Sequence, residues 1–413
     1  MAERVDAVVI GGGQAGLATS FYLTERSIDH LVLERGRVAE SWRGRWDSFT
    51  FVIPNWACEV APFRYKTDNP KGFLSRDEII GFFEAFAAAF DPPIRRADVF
   101  SIGKENGTLH VETSDGEFEA GNVIVATGAY PRPHKPAVAA ELPEELTQLD
   151  TNSYRNPDAL PAGNILVCGA GQSGVQIAED LVEAGRAVYV AAGRCGWAPR
   201  RYRGKDTSMW LNEMGFLDQT VDKLESPADR LACNVQATGR AGGHDINLRL
   251  LGERGVRLFG RLEGVSGSQL SFSDDLPETL RAADDQALKI VGAIDHYIET
   301  TSIDAPPPED TPGIAAARTT AMPQTAAELD LREAEVNTVI WTTGFRQDLG
   351  WIHLSPLIDQ QGFPIQRRGV SEHPGLYFVG LPWLHRAKSS LILGVGEDAE
   401  YVASHVAERL ASA

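Results

Sequence analysis

A chain of 413 residues with 43% hydrophobic content exceeds one ordinary domain and can bury a sizeable core, so two compact units are expected and disorder is excluded. Against 57 acidic residues stand 39 basic ones, and the formal charge of −18 repels phosphate backbones and anionic bilayers, so nucleic acid is not an expected partner. No apolar run reaches the length of a spanning helix, and the first strand pattern begins within the opening residues; a cytoplasmic protein with neither stable membrane insertion nor a cleaved leader is expected.

In chain order, Val5 to Ile10 is an apolar strand pattern, followed by the turn Gly11-x-Gly13-x-x-Gly16 and a helical pattern with Leu17, Phe21 and Leu23. A second strand, His30 to Leu33, ends at Glu34, where a βαβ unit places the carboxylate that reads a ribose. Gly11 makes the tight turn, Gly13 lets a pyrophosphate approach the backbone, and Gly16 lets helix pack on strand. The helix start then offers free N–H groups to the phosphates.

Ser75 to Glu78 reads as a capping box opening a helix over Asp77 to Phe90. Between Val99 and Ala126, alternating runs broken by Asn106-Gly107 and Asp115-Gly116 predict β-hairpins, and the last run leads to Gly128.

Ile165 to Cys168, Gly169-x-Gly171-x-x-Gly174 and a helical run through Val182 repeat the opening unit. Here the second strand, Ala187 to Ala191, runs on to Arg194 instead of a carboxylate. An arginine fork can pair with a 2′-phosphate, so the two turns read as one seat for FAD, at Glu34, and one for NADPH, at Arg194, with Arg200 and Arg201 close behind. A protein holding both can pass a hydride from nicotinamide to flavin.

From Trp197 to Arg332 the pattern is less regular, with a helix predicted over Pro277 to Thr300 and a loop over Ala305 to Pro323, which reads as a crossover or a lid. Val336 to Phe345 is a buried strand carrying Thr343-Gly344; Gly375 to Trp383 is another, carrying Gly380; a glycine-rich turn and helix over Leu393 to Val406 follow. The fold class is therefore α/β with two Rossmann-like dinucleotide-binding domains: a discontinuous FAD domain, 1–155 and 334–413, and an inserted, expanded NADPH domain, 156–333. Cys58, Cys168, Cys195 and Cys233 show no metal-ligand spacing and no C-x-x-C, so no metal is expected and all four read as core thiols, without a vicinal dithiol.

The Gly11 fingerprint, "SWRGRWDSFTF", "PNWACEVAPF", "VIVATGAY", the Gly169 fingerprint, "TTGF" and "GLYFVG" together resemble the class B flavoprotein monooxygenases, in particular the YUCCA-type enzymes and their bacterial relatives. The resemblance implies a flavin reduced by NADPH that reacts with O2 to a C4a-(hydro)peroxyflavin and oxygenates a small organic substrate, aromatic compounds included. It implies a catalytic role for Asn55, whose amide would approach the flavin, and adds Trp42, Gly128, Gly344 and Gly380 to the cofactor-binding candidates. His385, near Lys388, is the polar candidate at the flavin end. The chain departs from the family's F-x-G-x-x-x-H-x-x-x-Y pattern: Glu144, Leu146 and Asp150 replace its first three residues and only Tyr154 matches. An NADPH oxidase or flavin reductase releasing hydrogen peroxide, and a non-catalytic nucleotide-sensing regulator, remain alternatives. The oligomeric state is open, a homodimer included.

Overall fold

A computed structural model describes residues 2–60, 62–319, 321–323 and 325–412. Ala61, in the "PNWACEVAPF" segment, and Thr320, in the 305–323 run, lie outside the described residues.

The opening apolar run forms the strand Glu3–Ile10, whose alternate side chains face two cores because helices cover one face of its sheet and a hairpin the other. It pairs in parallel with His30–Glu34 on one side, Val9 opposite Val32, and with Gly116–Val125 on the other, Val9 opposite Ile124. Leu376–Phe378 adds in parallel beyond Gly116–Val125. The last part of the chain thus returns to the first sheet, and the first unit is discontinuous. Helices Gln14–Glu25, Arg76–Phe90 and Ile392–Ala411 cover one face. The Ser75 capping box forms, the Ser75 hydroxyl accepting from Glu78 N and the Glu78 carboxylate accepting from Ser75 N.

A second sheet is wholly parallel, in the order Thr147–Asp150, Val336–Trp341, Asn164–Cys168, Val188–Ala191, Arg257–Phe259. Two of these strands, Thr147–Asp150 and Val336–Trp341, sit within the expected segments 1–155 and 334–413, so those cuts do not coincide with sheet membership. Both strands read as buried apolar runs, and periodicity does not say which sheet a buried strand joins.

The long helix spans Leu276–Thr301 and packs with Trp197 and Trp210. The expected loop 305–323 instead contains a short helix, Pro312–Ala317, with Thr311 as its N-cap. Asp245 accepts from the Thr311 hydroxyl and from Gly313 N, the latter at 2.9 Å. Six residues are too few for a helical period to stand out in sequence, and the run is docked against the Trp197 cluster.

Candidate functional site

The two glycine turns are built alike. Gly11 has φ +112°, and a Cβ there would lie 2.6 Å from Ala126 O; Gly169 has φ +111°, with Thr342 O at 2.5 Å. Gly16 and Gly174 are equally constrained, since a Cβ would meet the carbonyl oxygen of Gly11 at 1.8 Å and of Gly169 at 2.2 Å. Each following helix, Gln14–Glu25 and Gln172–Glu183, has glycine at its N-cap and no side-chain cap, which leaves its first N–H groups to a ligand.

At the middle glycine the turns differ. Nothing lies within 4 Å of a Cβ on Gly13, whereas on Gly171 it would meet Cys233 Sγ at 3.2 Å. Cys195 and Cys233 form a disulfide, with Cα atoms 5.8 Å apart. This corrects the expectation of four core thiols: only Cys58 and Cys168 are free and buried. The partners are 38 residues apart, and only the fold of the irregular segment between them brings them together.

Glu34 is buried against the first turn, its Oε2 accepting from Gly12 N at 2.5 Å and its Oε1 from Gly36 N at 2.7 Å. A carboxylate has about four lone-pair sites, so both oxygens keep capacity for ribose hydroxyls. Gly128 (φ +88°) and Gly344 (φ +86°) have open space where a Cβ would point, whereas a Cβ on Gly380 (φ +82°) would lie 2.6 Å from Ala15 Cβ. Trp42 is partly buried, its ring packing against Phe49, Phe51 and Phe83 at the edge of the first core.

Arg194 stands at the surface, its Nη2 3.0 Å from Glu278 Oε1, with side chains 78% and 65% exposed. The two neighbouring arginines are engaged within the protein. Arg200 is buried, bonded to Asp206 Oδ1 at 2.5 Å and to Val52 O at 2.9 Å, and Arg201 donates to Gly243 O and Gly242 O at 2.8 and 2.6 Å.

Asn55 opens a short 3-10 turn after Pro54, buried, with Nδ2 donating to Asn69 O at 3.0 Å. Its Oδ1 is buried without a hydrogen-bond partner among the described residues. An orphaned amide oxygen of this kind is costly unless a further group supplies a donor. His385 precedes the C-terminal helix, and its main-chain oxygen accepts from Val221 N at 2.9 Å. Its Nδ1 lies 3.8 Å from Asp398 Oδ1, too far for a hydrogen bond. Burial, with Arg368 and Arg386 nearby, holds the imidazole below its usual range, while burial raises the Asp398 carboxyl. Lys388 Nζ bridges Asp218 at 2.8 Å and Glu397 at 2.5 Å. The loop before this helix also meets the first turn, where Gln14 Nε2 donates to Ser390 O at 2.7 Å.

Sequence reasoning missed several contributors. Thr342, in "WTTGF", donates its hydroxyl to Cys168 O and Gly169 O at 3.0 and 2.9 Å and so fixes the second turn. Gln172, Gln176 and Gln236 tie the segment 235–237 over that turn, through Val235 O at 3.2 Å, Ala237 O at 2.6 Å and Ala170 O at 2.6 Å. The guanidinium of Arg45 lies over the rings of Phe49 and Phe345, and its buried Nε has no hydrogen-bond partner among the described residues. Tyr154, the one match to the family's intervening pattern, is fully buried and donates to Asp180 Oδ2 at 2.7 Å, a structural post. Apart from Phe49, which follows Arg45 closely, none of these partners is near in sequence, so no local motif announces them.

Among the described residues no helix is long and apolar enough to cross a membrane, and no group of three or more His, Cys, Asp or Glu side chains could hold a metal ion.

Residues 8–223 match the family model described as pyridine nucleotide-disulphide oxidoreductase. An uncharacterized oxidoreductase CzcO-like of Geobacillus kaustophilus is 31% identical over 417 residues, covering 98% of this chain and 99% of that protein. Indole-3-pyruvate monooxygenase YUCCA4 of rice, Oryza sativa subsp. japonica, is 30% identical over 244 residues, 53% of this chain and 55% of that protein. The flavin-containing monooxygenase from Stenotrophomonas maltophilia shares the fold, with a TM-score of 0.66 at 18% identity over 99% of both chains.

Proposed function

The chain belongs to the pyridine nucleotide-disulphide oxidoreductase family, and from that premise we propose that it is an NADPH-dependent FAD monooxygenase, transferring one oxygen atom from O2 to a small organic substrate. The observation that carries the reading is the first turn, where Gly13 faces open space beside an uncapped helix start and a buried Glu34. Those residues fit the pyrophosphate and ribose of FAD, and the orphaned Asn55 Oδ1 fits a further polar group.

Bound FAD would supply the hydride acceptor and the activation of O2. The N–H groups after Gly13 would hold its pyrophosphate, Glu34 would take ribose hydroxyls, Gly128 would let the backbone pass close to it, and Gly380 would let the chain lie against Ala15 of the helix that follows the turn. Asn55 orients the reacting edge through its amide. Burial and the neighbouring Arg368 and Arg386 favour the neutral imidazole of His385, which can then serve as a hydrogen-bond partner there. The second turn and Gly344 hold the nicotinamide dinucleotide, with Arg194 on the 2′-phosphate. We assign the FAD part to 1–155 and 334–413 and the NADPH part to 156–333, with the strands Thr147–Asp150 and Val336–Trp341 belonging to the NADPH part's sheet. The rice relative's activity makes aromatic keto acids the first compounds to offer.

The test is a substrate screen on the purified yellow protein, reading NADPH oxidation with hydrogen peroxide measured in parallel. A true substrate accelerates NADPH oxidation while peroxide falls short of it. Stoichiometric peroxide with every compound makes the protein an NADPH oxidase instead.

A further inference from the structure

The two glycine turns provide an internal comparison. They share glycine spacing, strained first glycine, tight third glycine and uncapped helix, yet the middle seat is open at Gly13 and covered at Gly171 by Cys233 Sγ. That middle glycine lacks a side chain so that a pyrophosphate can approach the backbone. The sulfur at Gly171 therefore stands where the phosphate of a second dinucleotide belongs.

Its disulfide partner, Cys195, directly follows Arg194 and the strand Val188–Ala191. The bond thus pins the covering segment to the strand end that reads the adenosine ribose. Cys195 is buried, at 7% exposure, whereas Cys233 is exposed. The other two cysteines are not competitors: both are buried, and burial pushes the Cys58 thiol up to about 12 and raises that of Cys168 as well.

We infer that Cys195 and Cys233 form a thiol–disulfide exchange site, taking an external dithiol as its reductant, whose oxidised form closes the second turn to NADPH. The inference rests on the assignment of that turn to NADPH. A thiolate of the dithiol attacks the exposed Cys233 sulfur, the Cys195–Cys233 bond breaks, and Cys195 leaves as a thiolate that takes up a proton. The dithiol's second sulfur then attacks the mixed disulfide, releasing Cys233 as a thiol and the reductant as its own disulfide. Two electrons and two protons pass to the protein. Cys233, no longer tied to Cys195, can turn away from Gly171 and uncover the N–H groups of the helix Gln172–Glu183.

The experiment uses the FAD-loaded full chain in two states, diamide-oxidised and dithiothreitol-reduced, each freed of reagent. Thiols are counted after denaturation, and NADPH affinity and anaerobic flavin bleaching are measured. The expected counts are two thiols in the oxidised state, Cys58 and Cys168, and four in the reduced state. NADPH should bind at least about tenfold more weakly to the oxidised state, as loss of charge-assisted phosphate contacts implies, and fresh dithiol should restore it. Cys233→Ser, changed at an exposed position, should behave as the reduced protein under both treatments. Equal affinity and bleaching in both states, or four thiols after diamide, overturns the inference while leaving the NADPH assignment standing. Failure of NADPH to bind or bleach in either state and in Cys233→Ser overturns both.

Discussion

Replacing Arg194 by alanine separates a dinucleotide-reading arginine from an ordinary surface charge. In the structure its guanidinium is engaged only by Glu278 among the described residues, 3.0 Å away, and the two side chains are 78% and 65% exposed. A pair that exposed contributes about 0–1 kcal/mol, so it yields readily to a phosphate. Against a 2′-phosphate the same fork makes charge-assisted bonds worth roughly 1.5–3 kcal/mol. At about 1.4 kcal/mol per decade, Arg194→Ala should therefore narrow the preference for NADPH over NADH by about one to two decades. NADH turnover should be unaffected, and Glu278→Gln should improve kcat/KM for NADPH by no more than about fivefold, the value of the exposed pair it removes. The assay compares kcat/KM for both cofactors in protein with its cysteines reduced. Arg200 and Arg201 are committed to Asp206 and to main-chain oxygens and cannot cover for the loss. An unchanged ratio in Arg194→Ala would therefore refute phosphate reading at this strand end.

Three further outcomes follow from the geometry. Gly13→Ala should fold and purify colourless, with the Tm of flavin-stripped wild type, because a Cβ there meets no protein atom within 4 Å, whereas Gly16→Ala, meeting Gly11 O at 1.8 Å, should melt well below that apo value; thermal melts and flavin absorbance distinguish the two. His30 is buried between Ser20 Oγ and Ile28 O, and burial holds its imidazole below the ordinary 6.5. As pH falls through that value the unfolded chain binds a proton that the folded one refuses, so the stability present above it is progressively lost below it. Urea midpoints at about pH 7.5 and 5.5 should show a smaller loss on acidification in His30→Gln than in wild type, and equal losses would remove His30 as a contributor. Asn55→Ala removes both the bond to Asn69 O and the orphaned Oδ1, and should raise the hydrogen peroxide formed per NADPH oxidised; an unchanged ratio assigns Asn55 to the turn alone.

The parts legible in sequence were those whose physics is local. Gly11, Gly16, Gly169 and Gly174 carry their own steric demand, the Ser75–Glu78 capping box spans three residues, and Asn106-Gly107 turns a hairpin. Glu34 could be placed because a fixed helix length separates it from its turn. What stayed hidden depends on remote partners. The Cys195–Cys233 bond, the Gln236 amide on Ala170 O and the sheet joined by Val336–Trp341 are set by how the chain folds back over tens of residues. The ring contacts of Trp42 with Phe49, Phe51 and Phe83 were hidden too, since Phe83 comes from the helix Arg76–Phe90.

Isotope labelling decides whether NADPH drives oxygen transfer to an organic substrate. Reduced-cysteine holoenzyme is given NADPH, isotopically labelled dioxygen and a compound that the screen has shown to accelerate NADPH oxidation, and the label is followed into product and peroxide by mass spectrometry. One labelled oxygen atom is expected in the organic product for each NADPH oxidised beyond the peroxide formed. Label confined to hydrogen peroxide and water, with the organic compound recovered unchanged, would contradict it.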